Sequence, residues 1–84
     1  MTVVKPTRII NEIRALRFAA GEMTQAELAD RIGVTRQTVI AIEQGRYSPS
    51  LEVAFKIARV FAVPLETVFQ YPEDQRPRRG RKPA

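Results

Sequence analysis

The chain has 84 residues, carries 14 Lys and Arg against 9 Asp and Glu for a formal net charge of +5, and contains no histidine or cysteine. That length suits one small domain with a modest core. Without cysteine or histidine there is no disulfide, no thiolate metal site and no imidazole base or ligand, so no metal or other cofactor is expected and an enzyme is the least expected class.

In chain order, Met1 to Pro6 reads as a loose arm, too short and too polar for a secretory signal. Thr7 is placed to cap a first helix reaching about Ala20, with Ile9, Ile13, Leu16 and Ala20 on one stripe and Gly21 ending it. Gly21-Glu22-Met23 is then a connecting loop. From Gln25 to Gln44 the sequence QAELADRIGVTRQTVIAIEQ fits two short helices joined by a tight turn. Thr24 and Glu27 have the T-x-x-E spacing of a capping box. Leu28, Ala29 and Ile32 share one side of the first of these helices, and small Ala29 lets a second helix cross closely. Gly33 stands where the chain must reverse with φ > 0. Val34 plugs the turn, Thr35 is a good N-cap, and Val39 and Ile42 point inward at i, i+3. Arg36, Gln37, Ala41 and Gln44 point elsewhere.

Gly45 closes that helix, and Arg46 to Pro49 form a loop. Ser50 caps a fourth helix to about Ala62, with Glu52 favourably in its first turn. Leu51, Ala54, Phe55, Ala58, Phe61 and Ala62 make one stripe, widened by Val53, Ile57 and Val60. A helix this apolar is expected to be buried on more than one side. Val63-Pro64 opens a short fifth helix, Leu65 to about Phe69, in which proline at the first helical position is acceptable but a weaker start than a capping hydroxyl. From Pro72 the composition turns to Pro, Arg, Gly and Gln, and disorder is expected. The predicted organisation is therefore an arm (1–6), an all-α compact bundle of about five helices (7–71) and a disordered basic tail (72–84). Five cations, Arg76, Arg78, Arg79, Arg81 and Lys82, lie after Gln75, where no acid occurs, leaving 9 basic and 9 acidic side chains in residues 1–75. The whole charge excess belongs to the stretch after Gln75.

The corner, together with AIEQGRYSPSLEVAFKIARVFAVPLETVF running on from it, resembles the Cro and phage-repressor type of helix-turn-helix regulator, the xenobiotic-response-element family. The similarity spans roughly Ile9 to Tyr71, and the Gly21-Glu22-Met23 loop is one residue longer than the family pattern. Members bind operator DNA, mostly as two-fold dimers, with the helix after the turn in the major groove. The resemblance implies base contacts by Arg36, Gln37 and Ala41. Chemistry supports the first two: arginine donates a fork to guanine O6 and N7, and glutamine pairs with adenine N6 and N7. Ala41 offers at best a thymine-methyl contact. Gln25 is expected to hold a phosphate at a helix N-terminus, with Thr35, Thr38, Gln44, Arg46 and Tyr47 as further phosphate donors that fix register. Ile40 is expected to pack rather than to read. Arg17 and Glu43 are implied to form a partly buried, structural ion pair.

Val53, Val60, Phe69 and Tyr71 exceed what so small a core must bury and suggest a homodimer interface. The tail resembles an AT-hook, with Arg78, Arg79 and Arg81 as DNA contacts, although Lys82 stands where a proline should follow Arg81. Double-stranded DNA is the expected partner, with no membrane, no small-molecule effector and a cytoplasmic, nucleoid-associated location. A repressor is the simplest reading. The alternative is a protein-interaction module of the same fold, an antitoxin or a bridging factor.

Overall fold

The computed structural model describes residues 7–46 and 48–72. Five helices, α1 (Ile13–Ala19), α2 (Gln25–Ile32), α3 (Arg36–Glu43), α4 (Leu51–Phe61) and α5 (Leu65–Val68), pack together. Two short strands, β1 (Ile10–Asn11) and β2 (Phe69–Gln70), tie the start of this body to its end. They pair antiparallel, Ile10 opposite Gln70 and Asn11 opposite Phe69.

The strand pair corrects the reading of the first helix. Thr7 does not cap it; its hydroxyl instead accepts from the Ile9 N–H at 3.1 Å, a local turn that competes with helix. The helix begins later because Asn11 Oδ1 accepts from the Ile13 N–H at 3.1 Å, and the Glu12 N–H, a donor that α1 leaves free, goes to Val68 O at 2.9 Å. Ile9 therefore lies outside the helix, and Ala20 is exposed. At the other end Phe69 has left α5 for β2. Pro64 is the N-cap of α5 rather than its first helical residue, and it makes no side-chain cap bond.

The corner follows its local signals. Thr24 Oγ1 accepts from the Glu27 N–H at 3.0 Å and Glu27 Oε1 from the Thr24 N–H at 2.8 Å, so both halves of the capping box are made. Gly33 ends α2 at φ +77°. Thr35 accepts from the Thr38 N–H at 3.1 Å. After α3, Gly45 turns at φ +71° while the Gly45 and Arg46 N–H groups donate back to Ile42 O and Ala41 O, a Schellman close.

Ile13, Leu28, Ile32, Val39, Ile57 and Val68 are fully buried, drawing at least one side chain from each helix. Met23, in the lengthened loop, joins that core. Burying one such aliphatic side chain contributes about 1.5–3 kcal/mol. On α4 the buried stripe is narrower than its apolar pattern: Ala54, Ile57 and Ala58 are buried, whereas Leu51 and Phe55 are 68% and 51% exposed. Val53, Val60 and Phe69, assigned to a partner from sequence, are half-buried against this chain's own core. Of that group only Tyr71 stands largely clear, 67% exposed. No helix among the described residues is long and apolar enough to cross a membrane.

Candidate nucleic-acid interface

Two buried anchors set the pose of α3. Val39 and Ile42 are nearly inaccessible, so their shared face is turned to the core and the opposite face must point outward. Arg36 and Gln37, in the first turn, are exposed, while Ile40 and Ala41 are half-buried on the flanks. Arg36 makes no ion pair among the described residues. The first turn of α3 thus presents a guanidinium fork and a carboxamide, side by side and without partners among the described residues.

The last turn is fixed by polar ties. Arg17, 7% exposed, donates from Nε to Glu43 Oε2 at 2.6 Å and from Nη2 to Glu43 Oε1 at 3.2 Å. Its Nη1 donates to Met23 O at 2.8 Å, so one guanidinium joins α1, the loop and α3. All three guanidinium nitrogens have partners, the arrangement a desolvated charge needs. Asn11 Nδ2 donates to Ile42 O and Glu43 O, at 3.0 and 3.3 Å, adding to the Gly45 N–H already on Ile42 O and giving Glu43 O, at the helix end, a partner. Sequence reasoning missed both Asn11 and Met23. An asparagine just before an apolar run is a helix-start signal and could have marked α1, but nothing local points to Ile42.

Gln25 opens α2 next to this network. Its Nε2 donates to Glu43 Oε1 at 3.2 Å, which leaves one amide hydrogen and Oε1 for an outside group. Thr35 and Thr38 share a hydrogen bond between their hydroxyls, 3.0 Å apart. One hydroxyl proton is consumed in that bond, so the pair keeps one to give away. Gln44 and Arg46 are exposed at the far end of α3. Tyr47, Arg78, Arg79 and Arg81 lie outside the described residues. An open groove of about 850 Å³ runs between α1 and the corner, with Gln25, Ala26, Arg36 and Gln44 along it and Arg14, Phe18 and Glu22 opposite.

The first turn of α3 is thus exposed beside the N-terminus of α2, in a fold that comparison with known proteins identifies. Residues 13–68 match the helix-turn-helix family model of the Cro/C1 type. An uncharacterized HTH-type transcriptional regulator of Methanocaldococcus jannaschii is 49% identical over 65 residues, covering 77% of this chain and 97% of that protein. The cryptic phage CTXphi transcriptional repressor RstR of Vibrio cholerae is 40% identical over 55 residues, 66% of this chain but 49% of the repressor. A crystal structure of a candidate DNA-binding protein from Bacteroides fragilis superimposes with a TM-score of 0.64 at 22% identity, over 74% of this chain and 98% of that one, and shares the fold. This chain belongs to the Cro/C1-type helix-turn-helix family of DNA-binding transcriptional regulators.

Proposed function

We propose that this protein is a repressor that binds a pseudo-palindromic operator as a homodimer, laying α3 of each copy in the major groove. The observation that carries the reading is the exposed Arg36–Gln37 step, unpaired among the described residues, on a helix held by Val39 and Ile42. Arg36 reads guanine and Gln37 reads adenine, each good pair discriminating by about 1–3 kcal/mol. Ala41, half-buried beside them, lets the helix approach and meets a thymine methyl. Gln25, the Thr35–Thr38 hydroxyl pair, Gln44, Arg46 and Tyr47 hold phosphates and set register.

Exposed apolar side chains support association of two copies: Leu51, Phe55 and Tyr71 stand out from the surface. Beside them Ile9, Pro49, Leu51, Ala54, Leu65 and Phe69 line an apolar groove of about 390 Å³. The interface we propose is accordingly centred on Leu51, Phe55 and Tyr71 around that groove, with Val53 and Val60 serving chiefly the monomer's own core. Repression follows from occluding polymerase, which needs no further domain. The tail residues Arg78, Arg79 and Arg81 add electrostatic grip, and five tail cations on phosphates would steepen log K against log salt by up to about 4.5.

In vitro selection of bound duplexes followed by sequencing tests the whole. The expected product is a two-fold site with half-sites about one helical turn apart, whose consensus relaxes at one position in Arg36→Ala and at a neighbouring one in Gln37→Ala. A selection that enriches no motif overturns the reading.

A further inference from the structure

The groove between α1 and the corner has a wall that the helix-turn-helix does not use. Phe18, on the last turn of α1, is 53% exposed, an unusual place for a phenyl ring. Two guanidiniums face it: Arg17 Cζ lies 5.7 Å from the ring centroid and Arg14 Cζ 5.4 Å. Their situations differ. Arg17 is buried and neutralised by Glu43, whereas Arg14, one turn earlier, is exposed and has no carboxylate in ion-pair range among the described residues. The ring's face restrains the Arg14 side chain, which lowers the rotamer entropy lost when the guanidinium meets a partner.

What that partner is follows from the rest of the groove. Gln25 and Ala26 open α2 along it, and the first N–H groups of a helix have no intrahelical acceptor, so this end favours an anion. Arg36 and Gln44 complete the same lining. Among the described residues that line it, Glu22 is the one acid without an ion-pair partner, against two such cations, Arg14 and Arg36. From this we infer that Arg14, propped on Phe18, contacts the DNA backbone outside the helix-turn-helix, at a phosphate beyond the one seated at the N-terminus of α2. The inference rests on the DNA-binding reading above and adds to it a contact from α1.

The contact carries no sequence information, and that gives it a signature. Fluorescence anisotropy of the full chain, titrated with the selected operator and with an unrelated duplex over a series of salt concentrations, reads it out. Arg14→Ala is expected to weaken binding to both duplexes alike, by roughly tenfold at moderate salt, and to reduce the salt slope by about 0.9. Arg14→Lys restores the slope. Arg59→Ala, which removes an exposed cation on α4 outside the groove, leaves it nearly unchanged. Equal losses from Arg14→Ala and Arg59→Ala would mean only diffuse charge and overturn the contact, as would an Arg14→Ala protein with the wild-type slope. A wild-type chain that bound no duplex would instead overturn the functional reading itself.

Discussion

The corner from Thr24 to Gly45 and the seam made of residues 7–23 and 62–72 close their chain ends by opposite means. In the corner the helix ends are closed mainly by near neighbours in sequence, Thr24 with Glu27, Gly33 in the left-handed turn, Thr35 with Thr38 and Gly45 after α3, with Asn11 adding to the last of them from a distance. In the seam the partners come from far along the chain. Glu12 donates to Val68 and Asn11 to Ile42 and Glu43, and Met23 and Glu43 converge on Arg17. The surface proposed to meet DNA is thus built mainly on locally determined geometry, and its placement on the body is determined remotely.

Substitutions that break one kind of closure and spare the other sharpen this contrast. The largest effect is expected at Arg17. Arg17→Ala leaves the Glu43 carboxylate buried with only Gln25 to hold it, and chemical denaturation should show a loss of about 3 kcal/mol. Asn11→Ala removes the Ile13 cap and the side-chain donor to Glu43 O and to Ile42 O, the latter keeping the Gly45 N–H. About 2 kcal/mol is expected, read from the same curves. Gly33→Ala has open space for its Cβ but forces a side chain into φ +77°; thermal melts should report about 1 kcal/mol lost. Ala62 occupies the equivalent position after α4 at φ +56° without being glycine. Ala62→Gly should therefore stabilise, by about 0.5 kcal/mol, the relief of strain being partly offset by the greater freedom of the unfolded chain. If the two glycine-site exchanges do not move stability in opposite directions, backbone strain is not what distinguishes these helix ends.

The same contrast explains what could be read from the residues alone. Capping boxes, helix-ending glycines and i, i+3 apolar pairs act over three or four residues, so α2, the turn and α3 were legible to their ends. The start of α1 was not, because Asn11 is held by carbonyls 31 and 32 positions away and Ile10 by a strand 60 residues on. Thr7, with a plausible cap's chemistry, was spent on a local turn. On α4 the apolar stripe was correct as a pattern, but periodicity does not say how much of a stripe a neighbour covers. Hence Leu51 and Phe55 emerge exposed, and Val53 and Val60 are drawn against the core. At the site, the exposure of Arg36 and Gln37 followed from the burial of Val39 and Ile42. The engagement of Gln25 by Glu43, and the proton shared by Thr35 and Thr38, required coordinates.

The bonds that Asn11, Arg17 and Gln25 make to α3 all fall on Ile42 and Glu43. The end bearing Arg36 and Gln37 is positioned by apolar packing and its own cap. Such a helix behaves as a beam clamped at one end. Small tilts cost least where the side chains are most outward, since dispersion contacts tolerate a shift of a few tenths of an ångström better than directional hydrogen bonds do. Accommodation to operators of slightly different groove width should therefore be taken up at Arg36 and Gln37, with Glu43 as the fulcrum.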